Sequence, residues 1–280
     1  MLNLKTKVVV LGLFVAVGLI SIFSLPDKNL HVIACDVGQG DAILLVNGAN
    51  QILIDGGPDN SVLNCLGRHM PFWDRKIEMV VLTHPQSDHF TGLIEVFRRY
   101  QVDVYLANAT DNLGNEGYQV LKKEVGSRGV KAVGPYAGQQ MRLGLIYLDI
   151  LNPTGGFESK NLNDWSVVAE LRFGSFRAFF TGDIEGSMDV KLLEQLALSE
   201  VERVDYLKVN HHGSKNGLTN ELLEVLRPKV AVISAGKNNH YGHPHQEILE
   251  MLKDANAKIL RTDQLGDVEI ISDGKSYWVK

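Results

Sequence analysis

The sequence predicts an α/β protein, and three observations carry that reading. Short apolar runs alternate with amphipathic stretches from about residue 29 to the C-terminus. Histidines and carboxylates gather just after several of these runs, at the strand ends where α/β folds build their sites. No low-complexity linker or tandem repeat breaks the alternation, so residues 29–280 read as one compact domain.

In chain order, "HVIAC" and "DAILLV" read as strands around the turn-rich "DVGQGD". "QILIDGG" is a strand ended by a carboxylate and two glycines. Residues 61–69 are helical in pattern, and "EMVVLT" is the continuous apolar run of a buried strand. The next segment opens a helix with Leu93, Ile94, Phe97 and Tyr100 at helical spacing. "VDVYLAN" is strand-like and a helix covers about Tyr118 to Gly126, with glycine-rich turns making up the rest to residue 150. "WSVVAELRF" and "FRAFFTGD" alternate about Gly174-Ser175 as a hairpin. "MDVKLLEQL" is helical and "VDYLKVN" a strand; "TNELLEVL" is a helix with Thr219 as its N-cap. The strand "KVAVIS", the helix "QEILEMLKDA" and the strands "AKILRT", "DVEIIS" and "SYWVK" complete the chain.

The composition is that of an ordinary globular protein, 45% hydrophobic and 22% charged. The net charge of -5 excludes an overall basic field for non-specific nucleic-acid capture, so any such contact is local. Cys35 and Cys65 are too few for a disulfide scaffold or a cysteine-rich zinc site, and Cys35 reads as a small buried residue of the first strand. Residues 1–28 stand apart. Val8–Leu25 is an 18-residue run without a charge, about 27 Å long as a helix and near the thickness of a bilayer core. It lacks a good small-x-small cleavage site, which favours an uncleaved anchor over a removed signal peptide. Lys5 and Lys7 place its start in the cytoplasm. The expected location is therefore the cell membrane, single-pass, with the domain extracytoplasmic; a secreted product is the alternative.

The site candidates follow the apolar strands: Asp55; His84, Asp88 and His89; Asp183; His211 and His212; His243 and His245. Any one histidine is more often a surface or satisfied core residue, but such clusters in equivalent places point to one centre. A dinuclear hydrolytic centre needs imidazoles and carboxylates around a shared hydroxide. Asp183 offers a bridging carboxylate, Asp88 and His89 bind from one tight turn, and His84 reaches the other ion. With no sulfur at these positions, the ions expected are one or two of zinc or manganese.

"DVGQGDAILL", "ILIDGG", "LTHPQSDHFTGL", "FFTGDIE", "LKVNHHGSKNG" and "YGHPH" resemble, in content and order, the metallo-β-lactamase-fold domain of the ComEC-type DNA-uptake (competence) proteins. The resemblance runs from about residue 30 to the end. It implies a four-layer αββα sandwich with metal at the strand ends, and a nuclease acting on the DNA strand that is not imported. It implies metal ligands at His84, Asp88, His89, Asp183 and His212. His211 and His243 would contact the phosphoryl oxygens or protonate the leaving oxygen, and Asp88 would also orient the nucleophile. Which of His211 and His212 binds metal stays open, with His212 preferred. Asp55 braces the metal loop, Asp36, Gln39 and Asp41 either line the site or form a simple turn, and Ser214, Lys215 and Lys237 are phosphate candidates.

Two departures from that family matter. Only one apolar span is present, so a separate channel protein would have to carry the DNA. Gln86 stands where H-x-H-x-D-H has its second histidine, and no histidine lies between His89 and His211. Asn163 and Ser166 are the polar candidates there, giving the ion nearer His84 a thin, oxygen-rich shell and a weak hold. The expected activity is an extracytoplasmic phosphodiesterase on single-stranded DNA. The alternatives are an exported small-molecule phosphodiester or ester hydrolase and a weakly catalytic metal-binding accessory protein.

Overall fold

The computed structural model describes residues 26–108, 114–155, 158–198 and 203–280, together with Gly12. Its strands are β1 (Leu30–Ala34), β2 (Ile43–Asn47), β3 (Asn50–Ile54), β4 (Lys76–Leu82), β5 (Gln101–Ala107), β6 (Lys131–Val133), β7 (Gln140–Leu143), β8 (Ile146–Asn152), β9 (Val168–Phe173), β10 (Phe176–Phe180), β11 (Tyr206–Lys208), β12 (Val230–Ile233), β13 (Lys258–Arg261), β14 (Val268–Ser272) and β15 (Tyr277–Val279). Its α-helices are α1 (Ser61–His69), α2 (Ser87–Arg99), α3 (Glu116–Ser127), α4 (Asp189–Leu198), α5 (Asn220–Leu226), α6 (Gln246–Asp254) and α7 (Thr262–Leu265).

Strand alternation builds the layers. In β1, Leu30, Val32 and Ala34 face the second sheet, where they join Ile146 and Leu148 of β8 and Phe176 and Phe180 of β10. Ile33, one residue out of phase, faces the other way with Leu44 and Leu53, under Leu66 of α1 and Phe90 and Leu93 of α2. In the second sheet Phe179, Leu207 and Ala231 turn outward beneath Leu222 of α5 and Leu252 of α6. Each fully buried Leu or Phe in these layers contributes roughly 1.5–3 kcal/mol over an exposed one. The result is two sheets packed face to face between two helical layers. The eight-stranded sheet runs β15-β14-β1-β2-β3-β4-β5-β6 and the seven-stranded sheet β13-β12-β11-β10-β9-β8-β7.

β3 to β6 are parallel, as are β10 to β13. The loops that leave β3, β4, β10, β11 and β12 therefore meet at one edge of the sandwich. The chain enters at the other edge, where Leu30 lies opposite Asn47 and Asn47 opposite Asn50. Close approach fixes the first loops: a Cβ at Gly92 of α2 would collide with the backbone oxygen of Gly56.

Two findings differ from the sequence reading, and a third expectation is left untouched. The stretch taken as turns up to residue 150 contains β6, β7 and most of β8, with β6 mostly exposed and β7 alternating between exposed and half-buried. Cys35 is buried as expected but is bonded to Cys65 of α1, with 5.8 Å between their Cα atoms. The proposed anchor lies outside the described residues, among which no helix is long and apolar enough to cross a membrane.

Candidate metal centre

After β4 the chain turns tightly, with the Gln86 N–H donating to His84 O and the His89 N–H to Gln86 O. That turn brings His84, Asp88 and His89 to the start of α2. Asp55, at φ 60° after β3, accepts from Thr83 N and Thr83 Oγ1 and lies 2.8 Å from His89 Nδ1. A carboxylate on Nδ1 fixes the tautomer and leaves Nε2 as the free donor atom. His89 Nε2 lies 3.3 Å from Asp183 Oδ2 and 3.9 Å from Asp88 Oδ2.

The second sheet supplies the rest. Asp183 leaves β10 with its N–H donating to Ser166 Oγ. Beyond β11, His211 and His212 are both left-handed, at φ 46° and 55°. Such backbone costs of order 1–3 kcal/mol per residue and persists where the surroundings enforce it. The His212 Nδ1 side faces Ser234 O at 3.0 Å, and its Nε2 lies 3.2 Å from Asp183 Oδ2 and 3.5 Å from Asp88 Oδ2. Asp88 Oδ2, His89 Nε2, Asp183 Oδ2 and His212 Nε2 thus converge on one point. Asp41 forms a buried group with His89, Asp183 and His212, their donor atoms all within 4.8 Å of one another, but it lies on the far side from Asp88. One Asp41 oxygen is 2.6 Å from Lys208 Nζ, and the other lies 3.5 Å from His212 Nδ1, so it backs the imidazole.

These atoms suit a divalent cation. His84 Nε2, His89 Nε2, His212 Nε2 and Asp183 Oδ1 are buried without a hydrogen-bond partner, which costs about 1–3 kcal/mol apiece unless something satisfies them. Burial opposes charge on His89 and His212, yet the carboxylates around them, Asp183 with Asp55 and Asp88 at His89 and Asp183 with Asp41 at His212, together outweigh it and hold both well above their ordinary value. The pocket therefore favours positive charge, and nitrogen and oxygen donors of this kind fit zinc or manganese. A second grouping, Cys65, His69 and Asp267, does not fit, because the Cys65 sulfur is bonded to Cys35.

Beside His84 the arrangement differs. Its ring stands 4.2 Å from that of His89, with Nδ1 3.1 Å from Thr83 Oγ1 and 3.3 Å from Ser166 Oγ. Burial, with His89 nearby, pushes its pKa down to about 3, so it is neutral. Gln86 Nε2 donates to Asn163 Oδ1, and Asn163 Nδ2 donates to Glu185 Oε1, itself 3.6 Å from His211 Nδ1. The two amides are spent on one another and on Glu185.

The other candidates scatter. Gln39 Oε1 accepts from Gly236 N, and its amide nitrogen lies 3.4 Å from His243 Nδ1. The His243 ring is 5.8 Å from that of His211 and 5.1 Å from that of His245. Burial, then His212 and His211, push His243 down to about 4. Asp36 does not join the group: it is exposed, its carboxylate accepts from Gly38 N, and its own N–H donates to Asp267. Ser214 is buried and turned to Asn216 N, while Lys215 and Lys237 are exposed. Sequence reasoning passed over Lys208 and Glu185. A lysine between Leu207 and Val209, in an apolar strand, was the available signal for the first.

The sequence profile of the Metallo-beta-lactamase superfamily matches residues 35–237. ComE operon protein 3 of Bacillus subtilis is 28% identical over 252 residues, covering 84% of this chain and 32% of the relative. Competence protein ComA of Neisseria gonorrhoeae is 25% identical over 255 residues, covering 88% and 33%. The chain thus spans about a third of the length of these relatives. Among solved structures, the metallo-beta-lactamase fold protein YhfI from Bacillus subtilis superposes with a TM-score of 0.55 at 14% identity, over 82% of this chain and 95% of that one.

Proposed function

The chain belongs to the metallo-beta-lactamase superfamily, and on that premise we propose that it is a metal-dependent phosphodiesterase acting on DNA at the outer face of the cell membrane. The observation that carries this reading is the convergence of Asp88, His89, Asp183 and His212, with two further imidazoles, His211 and His243, beside it. A relative named as a competence protein supports DNA as the substrate. The buried Cys35–Cys65 bond supports an oxidising compartment, and the Val8–Leu25 run supports the anchor.

Asp88, His89, Asp183 and His212 would hold the ion. A divalent cation there supplies Lewis-acid activation of water and of a phosphoryl oxygen at neutral pH. The protein's own groups do the rest. Gln39 is oriented by Gly236 N, so its amide N–H points to His243 Nδ1 and leaves the proton of the neutral ring on Nε2. That N–H is a hydrogen-bond donor for a phosphoryl oxygen. His211 has one nitrogen 3.8 Å from Asp183 and the other 3.6 Å from Glu185, a position from which it can hand a proton to the leaving oxygen. In this reading a separate channel protein takes the other DNA strand across the membrane.

The test is hydrolysis of labelled single-stranded DNA and of bis(p-nitrophenyl) phosphate by the full-length protein, with manganese and with zinc, alongside Asp183→Ala. Cleavage of DNA that Asp183→Ala abolishes is expected. Hydrolysis of the small diester alone would favour a small-molecule hydrolase, the reading that the net charge of -5 supports. Turnover of neither substrate would overturn the proposal.

A further inference from the structure

The edge of the sandwich opposite the metal group carries an aromatic corner that the hydrolase chemistry does not use. Between α1 and β4, Phe72 is 74% exposed and Trp73 51%, and Phe72 is the most exposed large hydrophobic residue among those described. The turn that presents them is braced. Asp74 N donates to Pro71 O, and the buried Asp74 carboxylate accepts from Lys76 N and from Gln51 Nε2.

Met70 and Pro71, the preceding residues, line a recess of about 330 Å³ together with Pro26 and Asp27. Pro26, the residue that follows the charge-free run Val8–Leu25 in the sequence, therefore lies beside this same turn. Around it Arg68, Lys76 and Lys280 have side chains 53%, 42% and 65% accessible while each also meets a carboxylate, Asp267, Asp103 and Glu269 in turn. The neighbouring carboxylates are already matched, Asp27 and Glu269 with His31, and Asp267 with Arg68 and His69.

We infer that the 70–75 turn is a membrane-seating surface, with Phe72 and Trp73 entering the headgroup layer of the bilayer that Val8–Leu25 crosses. Tryptophan and basic side chains at a lipid boundary are the composition such a layer selects. β4 starts at this corner and ends at Leu82, two residues before His84, a rise of about 20 Å at 3.3 Å per residue. Seated this way, the metal group faces away from the membrane. The inference rests on the anchor reading above.

The full chain is reconstituted into vesicles of phosphatidylcholine and phosphatidylglycerol with brominated acyl chains. Trp73 emission is taken as the difference between wild type and Trp73→Phe, a change at an exposed position that leaves the packed layers intact. Flotation with the vesicles, a blue-shifted Trp73 and loss of most of its emission to bromine are the expected results. A chain that floats while Trp73 stays open to aqueous acrylamide overturns the seating and leaves the anchor standing. A floating chain with Trp73 shielded from both quenchers means that protein covers the corner, which also overturns it. A chain that does not float overturns anchor and seating together.

Discussion

Replacing Lys208 with methionine strands a carboxylate in the seam between the two sheets. Lys208 is 1% exposed, and its ammonium lies 2.6 Å from Asp41 Oδ2 and 3.0 Å from Val209 O. Two unit charges at that separation attract by about 6 kcal/mol at an effective dielectric of about 20. Taking both out of water consumes several kcal/mol per ion, so the intact pair is near break-even against an apolar pair of the same shape. Removing one partner is a different matter. Asp41 is held well below the usual carboxylate range because Lys208, followed by His212, overcomes the effect of burial. Without the lysine it must stay charged and buried or take up a proton, and about 3–5 kcal/mol of stability is lost. For a domain of this size that lowers the melting midpoint by roughly 6–20 °C. Adding Asp41→Asn neutralises the stranded group, so the double variant recovers most of the loss. Urea and thermal unfolding of chelator-treated wild type, both single variants and the double variant give the cycle. A Lys208→Met loss below about 1 kcal/mol, or single losses that simply add in the double variant, would refute the pairing argument.

Three further outcomes are expected. Because the Gln86 and Asn163 amides bind each other, exhaustive dialysis should leave nearer one ion per chain than two by elemental analysis. Gln86→His should raise the count, and no rise would contradict this account of the loop. Asp183→Ala should lose metal and turnover together, whereas His243→Ala should keep the metal and slow hydrolysis by roughly 10²–10⁴-fold. Glu269 is held down to about 2 by its bond to His31, against burial, so its contribution is complete above 4.5 and is lost as pH falls through that range. His31, raised chiefly by Glu269, contributes fully below 6.5 and less as pH rises through its raised value. The melting difference between wild type and Glu269→Gln should therefore peak between pH 4.5 and 6.5 and vanish towards pH 2.

The fold was legible where one period dominated. The "WSVVAELRF" and "FRAFFTGD" runs alternate cleanly, and Phe173 does lie opposite Phe176 across Gly174-Ser175. β6 and β7 escaped notice because they are short and flanked by glycines, with residues such as Gln140 and Arg142 exposed. At the site, histidines and carboxylates after apolar strands announced themselves by type, and Gln86 by the imidazole it replaces. What the sequence could not state is who faces whom. The Gln86 amide meets Asn163 only because the short helical turn Asn163–Trp165 comes back against the loop before α2, and Asp41 meets Lys208 across two sheets. Cys35 and Cys65 likewise become partners only once α1 lies over β1.

Leu30 of β1 pairs with Ser272 of β14, so the first strand of the larger sheet takes a neighbour made about 240 residues later. At about 5–20 residues per second, translation needs on the order of ten to fifty seconds to deliver that neighbour. For that time β1 has a bare row of amides and carbonyls on one side, the kind of border that invites pairing with another nascent chain. A premature stop ahead of Val268 would make the condition permanent. The β14–β15 hairpin then works as a closing hem, and its loss would show first as aggregation of newly made chains, before any defect in chemistry.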